Sequence, residues 1–216
     1  MAGAAEAAEA APRRDRRDRR DRRRLVTRAL YRRPWRVDLT VRDGIVVPVS
    51  GAVLARALAA TLTEAGAPPP ASIGLILSDD TELAELNAAH LGTTGPTDVL
   101  SFPLLPPGAF PTHPGATRSG ASTDLDFPLP PGRRRHLGDI VISVERAIEQ
   151  AEAGRGGQTG DRRWSPTDEL RLLAIHGALH ICGWDHAEPG EETAMRTLED
   201  RLLRSSAWGV AARRRT

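Results

Sequence analysis

His176-Gly-Ala-Leu-His180-Ile-Cys-Gly183-Trp-Asp-His186 places three histidines within eleven residues. His176 and His180 are four apart, so on a helix their side chains stack on one face. Gly183 then ends that helix in a left-handed turn and lets the chain bring His186 back toward the other two. Three neutral imidazoles converge on one point, with no thiolate or carboxylate needed. Three protein ligands with a fourth position open is the arrangement of a catalytic zinc, not a structural one. The expected metal ligands of one zinc ion are therefore His176, His180 and His186. Cys182 lies between two of them and reads as a small apolar packing residue.

The helix carrying this motif is announced upstream. Ser165-Pro-Thr-Asp168 supplies a capping serine, a proline at the first helical position and acid in the first turn. Leu170, Leu172, Leu173 and Leu179 make the helix apolar nearly all round, so it is expected to be buried. Met195, Leu198, Leu202 and Leu203 mark a last helix over about 189–206, with Met195 as core. The same histidine spacing occurs in the metzincin pattern H-E-x-x-H-x-x-G-x-x-H. Here Gly177 stands where that pattern has its glutamate base. The metal scaffold is present and the peptidase base is missing.

Toward the N-terminus, Val37, Leu39 and Val41 alternate with polar residues and predict a strand with one buried face. Ser50 is a candidate N-cap for a helix through Leu54, Leu58 and Leu62. Ile73–Leu77 reads as a second strand, and Asp79 or Asp80 caps the helix after it. Thr97–Phe102 and Gly138–Ser143 read as the third and fourth strands, with Ser143 capping a helix to Ala153. The expected fold class is α/β (α+β): a single compact domain with a four-stranded mixed sheet and a zincin-like three-histidine metal site.

The predicted domain spans 35–206. Residues 1–34 are expected to form a disordered Arg-rich arm, and 207–216 a tail. Within the arm, Arg13–Arg24 holds nine arginines against three aspartates, a run that stays solvated. It reads either as an RNA- or ribosome-binding arm or as an untuned tail. Residues 104–136, rich in Pro, Gly, Ser and Thr, are expected to form a mobile surface loop. They end in Arg133-Arg134-Arg135, which either touch phosphate or stay solvated. A Gly-rich linker is expected over 154–163.

Composition constrains little more. The formal net charge is +2 and every basic residue is arginine, which a GC-rich genome would also produce. The single cysteine excludes an intrachain disulfide and fits a reducing cytoplasm. No run of 18 apolar residues predicts a membrane span, and the N-terminus does not read as a secretory signal.

Three motifs together resemble the YbeY family of zinc-dependent endoribonucleases: Leu86-Asn87 with Pro96-Thr-Asp-Val-Leu-Ser-Phe-Pro103, then Leu137-Gly-Asp-Ile-Val-Ile-Ser143, then His176–His186. The resemblance covers about 35–204. It implies a metal-dependent, single-strand-specific endoribonuclease of the bacterial cytoplasm. That activity matures ribosomal RNA, notably the small-subunit 3′ end, with ribosomal proteins as further partners. One departure matters: the family usually has an arginine four residues past the Leu-Asn pair, and this chain has Leu91. Arg133–Arg135 are candidates to supply that charge. Trp184 replaces a usual tyrosine. Asp98, Asp139 and Asp185 are weak catalytic candidates, each also readable as structural, and Ser101 reads as structural. The alternatives are a non-catalytic zinc-containing ribosome-assembly factor and a zinc hydrolase of another substrate.

Overall fold

The computed structural model describes residues 26–116, 129–130, 132–154 and 164–205. Strands β1 (Val26–Arg32), β2 (Trp35–Val41), β3 (Ala71–Ser78), β4 (Val99–Pro103) and β5 (Arg135–Ser143) form one sheet in the order β1-β2-β3-β5-β4. The β2/β3 and β3/β5 pairs are parallel, whereas β1/β2 and β4/β5 are antiparallel. The helices are α1 (Gly51–Glu64), α2 (Asp80–Leu91), α3 (Val144–Glu152), α4 (Pro166–Ile181) and α5 (Pro189–Arg204). The chain is a single α+β domain with a mixed sheet, as expected, but the sheet has five strands and not four.

The extra strand is β1, which lies inside the stretch 1–34 expected to be a disordered arm. Sequence reading passes over it for a physical reason. An edge strand can be held by backbone pairing alone, and β1 pairs with β2 along its whole length, from Val26↔Val41 to Arg32↔Trp35. Its side chains do little burying; Tyr31 is 55% exposed. The Arg13–Arg24 run and the 207–216 tail lie outside the described residues.

Elsewhere the apolar pattern is used as written. Trp35, Val37 and Leu39 of β2 are buried, as are Leu54, Leu58 and Leu62 of α1. Ser50 precedes α1 in extended conformation but makes no side-chain capping bond, contrary to expectation. Asp79 does cap α2, accepting the Glu82 N–H at 2.8 Å. Ser143 caps α3 by accepting from the Arg146 N–H.

Alternation along β5 divides the core in two. Ile140 and Ile142 join the main cluster with α1 and α4. Val141 faces the other way and packs with Leu83 of α2 and Leu100 of β4. Helix α4 is the centre of the main layer, touching α1, α3, α5, β4 and β5. Ten of its sixteen residues are buried, eight of them apolar or glycine and the other two Glu169 and Arg171, which is why its sequence is apolar nearly all round.

The 104–136 segment is not wholly a surface loop. Its first part is a strap: Leu104 N–H bonds the Leu137 carbonyl, Pro107–Ala109 makes a 3-10 turn, and Phe110 is buried in the core. Its last part is already β5, which starts at Arg135, three residues before the expected Gly138. Residues 117–128 and 131 lie outside the described residues, as do 155–163 of the expected Gly-rich linker.

Candidate metal centre

Helix α4 starts on a reciprocal capping box. Ser165 Oγ accepts the Asp168 N–H at 3.2 Å, and the Asp168 carboxylate accepts from the Ser165 N–H. It ends on a left-handed glycine, Gly183 at φ 81°. The Gly183 N–H bonds the His180 carbonyl and the Trp184 N–H bonds the Leu179 carbonyl, both at 3.0 Å. This pair of bonds reverses the chain directly after the helix, and His186 follows in the returning segment. The strap braces the same turn: Pro107 lies against Gly183, and the His113 ring stacks on Trp184 with centroids 4.4 Å apart.

The result is convergence. One nitrogen from each of His176, His180 and His186 lies within 4.8 Å of the others. His176 and His180 are partly buried and His186 is exposed, so the group opens to solvent on one side. The outer nitrogens are committed elsewhere. His180 Nδ1 lies 3.0 Å from the Trp184 carbonyl, which only accepts, so that nitrogen carries the proton. His176 Nδ1 lies 2.8 Å from Glu199 Oε1 on α5, which fixes the same tautomer.

Both Nε2 atoms then present bare lone pairs, 3.1 Å apart. Two lone pairs at that distance repel unless a cation sits between them. Two nitrogens bound to one tetrahedral ion at ~2.0–2.1 Å would be about 3.3 Å apart. The donor set therefore fits a single metal ion with a free coordination position. Burial and the two neighbouring imidazoles lower the pKa of His180 from 6.5 to about 4, so this ring stays neutral and able to coordinate. Burial pushes the Cys182 thiol up to about 12, and an undissociated thiol is neither ligand nor nucleophile.

Gly177 has a second meaning that spacing does not reveal. It faces the sheet. A Cβ there would lie 2.8 Å from Ile140 Cγ2 and 3.0 Å from Ser101 Oγ. Ser101 Oγ also donates to the Gly177 carbonyl at 3.1 Å, which is the structural role expected for it. No glutamate fits at this position, so a peptidase base is excluded by packing as well as by composition. Gly177→Ala is expected to destabilise the fold: overpacking of about 2–3 kcal/mol, within the usual range, outweighs the ~1 kcal/mol gain in helix propensity. Urea unfolding checks this, and an unchanged or raised midpoint contradicts it.

The three weak aspartate candidates separate. Asp98 lines the same cleft as His176 and His186. Its carboxylate is held by the Val99 N–H at 2.9 Å and the Gln150 amide at 3.0 Å. Asp139 has the parity of Val141 and so faces away from α4; it bonds His136 Nε2 at 3.1 Å. Asp185 is exposed and accepts the His186 N–H at 2.8 Å, stabilising the turn. Met195 is buried against the cleft.

Leu91 is 65% exposed at the end of α2. Arg134 does not stand in for the missing arginine: it bonds the Pro34 carbonyl and lies over the Tyr31 ring, at the β1–β2 turn. Among the described residues lining the cleft the one arginine is Arg196. Glu199, Trp164 and Arg196 are among the cleft residues that sequence reading misses. A signal for Glu199 existed, since it sits on the apolar face of α5 beside Met195, Leu198 and Leu202.

A family profile described as Endoribonuclease YbeY matches residues 49–207. The chain belongs to the YbeY family. A YbeY endoribonuclease of Roseiflexus sp. (strain RS-1) is 35% identical over 170 residues, covering 78% of this chain and 91% of that protein. One from Mycobacterium bovis (strain BCG / Pasteur 1173P2) is 38% identical over 169 residues, covering 77% and 82%. A solution structure from Thermotoga maritima covers 80% of this chain and 88% of its own at 20% identity, with a TM-score of 0.42. The YbeY match takes in all three histidines, Glu199 and Leu91, whereas β1 and β2 precede it. Among the described residues no helix is long and apolar enough to cross a membrane.

Proposed function

We propose that the chain is a zinc-dependent, single-strand-specific endoribonuclease that matures ribosomal RNA in the cytoplasm, including the 3′ end of the small-subunit RNA. The observation that carries this reading is the pair of Nε2 lone pairs, with His186 beside them, on a helix whose Gly177 position has no room for a peptidase base. Family membership supplies the substrate class.

His176, His180 and His186 would hold the ion. A zinc so held supplies Lewis-acid polarisation of a phosphate oxygen and lowers the pKa of bound water toward ~7. Glu199 and the Trp184 carbonyl orient two of the rings. Asp185 and Gly183 shape the turn that brings the third. RNA carries its own nucleophile, the 2′-OH, so a protein carboxylate at Gly177 is dispensable. Arg196 lies on the cleft wall, bridged to Glu192 at 2.6 Å. Ribosomal proteins are further proposed partners.

The test is mapping of ribosomal RNA ends in cells lacking the gene, complemented with wild type or His176→Ala. Wild type is expected to correct unprocessed small-subunit 3′ ends and the variant to leave them. Equal rescue by both would defeat the proposal. Leu91 favours a second reading, an assembly factor that binds RNA without cutting it. Tight RNA binding with no metal-dependent cleavage would select that one.

A further inference from the structure

The cleft does not end at the histidines. It extends as a cavity of about 540 Å³ between α4, α5 and the start of β4. Its apolar side is made by Trp164, Leu172, Leu173, Met195 and Leu203. Its polar side carries Asp98, Glu169, Glu192, Glu199 and Asp200 against one cation, Arg196. That lining is the reverse of a phosphate track. An anion pushed into it would meet five carboxylates. Whatever enters is flat or apolar enough for the aromatic wall and offers hydrogen-bond donors to the acids.

Trp164 is built to stay in place. It directly precedes Ser165, the N-cap residue whose capping box fixes the backbone. Its indole N–H donates to the carboxylate of Glu169, a residue 3% exposed. The ring is itself only half-buried. A partly open indole held by its edge, in the same cavity as two metal-binding histidines, is a stacking surface beside a reaction centre.

We infer that this cavity is a nucleobase subsite, in which Trp164 stacks the base next to the scissile phosphate and the surrounding carboxylates select an amino-bearing base: adenine, cytosine or guanine. The inference rests on the endoribonuclease reading. The exocyclic amino groups of adenine and cytosine donate to carboxylates, while uracil turns carbonyl oxygens toward them. A base can reach the cavity only when unpaired, so the subsite also accounts for a requirement for single strands. Trp164 here is a specificity-determining residue.

The test uses the metal-loaded full chain with 2′-O-methyl oligoadenylate, oligocytidylate and oligouridylate, which bind without being cut. Binding is read by fluorescence anisotropy of labelled strands. Tryptophan emission is compared between wild type and Trp164→Phe, because the chain has four tryptophans. Trp164→Ala should weaken oligoadenylate binding by roughly 5- to 150-fold, the loss of one base–aromatic stack. Trp164→Phe, which keeps a stacking ring but loses the bond to Glu169, should lose less affinity than Trp164→Ala, with metal content unchanged in both. Oligouridylate should bind wild type least. On a cleavable strand Trp164→Ala should raise KM and leave kcat nearly unchanged.

Wild-type affinity in Trp164→Ala, or oligouridylate binding as tightly as the other two, overturns the subsite. If wild type still cleaves RNA in that case, only the subsite falls. If metal-loaded wild type neither binds nor cleaves any RNA, the subsite and the endoribonuclease reading fall together. Quenching of Trp164 by an arginine-rich peptide, with none by RNA, overturns the subsite alone.

Discussion

His180→Ala is expected to lose metal and RNA cleavage together. His180 is the middle of the three proposed ligands. Its Nε2 faces His176 Nε2 at 3.1 Å, and its ring is 5.0 Å from that of His186. The other two rings have centroids 5.6 Å apart and do not close a site alone. Two imidazoles lose a large part of the affinity that three provide, so elemental analysis of the dialysed variant should find no bound ion. The fold should persist, because α4 is held by its leucines and by both caps. Far-UV circular dichroism with a retained unfolding transition checks that. A metal-free His180→Ala protein that cleaves RNA at the wild-type rate would remove the histidines from the chemistry.

The second large effect belongs to a residue that acts on a metal-site histidine from the neighbouring helix. Glu199 reaches from α5 to His176 Nδ1 at 2.8 Å and is 8% exposed. Such a carboxylate holds the ligand's tautomer and ring orientation, and its loss typically costs ~10–100-fold in metal affinity. Glu199→Ala is expected to show a drop of that size in competition against a chromophoric chelator, because it leaves a buried N–H without a partner. Glu199→Gln keeps an accepting oxygen and should lose less. Equal affinity in all three proteins would show that the His176–Glu199 bond does not tune the site.

These two residues illustrate what sequence can and cannot carry. His180 is legible because helical periodicity converts a spacing of four into proximity, and Gly183 announces the reversal that returns His186. The buried character of α4 is legible for the same reason, since its leucines leave no polar stripe. Glu199 is not legible as a partner. Its contact with His176 depends on how α5 crosses α4, and that angle is set by packing rather than by local pattern. Strand β1 is hidden because an edge strand needs backbone pairing and little apolar signal. The 104–116 strap is hidden because its prolines and glycines look like loop until Phe110 finds the core and Pro107 finds Gly183. Gly177 is half-legible: the missing base is in the sequence, while the absence of room for one exists only once α4 lies on Ile140 and Ser101.

X-ray absorption at the metal edge of the purified, loaded protein tests the centre most directly. The expected shell is three imidazole nitrogens at ~2.0–2.1 Å and one solvent oxygen, at one ion per chain. A sulfur neighbour at ~2.3 Å, which would bring Cys182 into the site, contradicts this account. So does a chain that takes up no divalent ion at all.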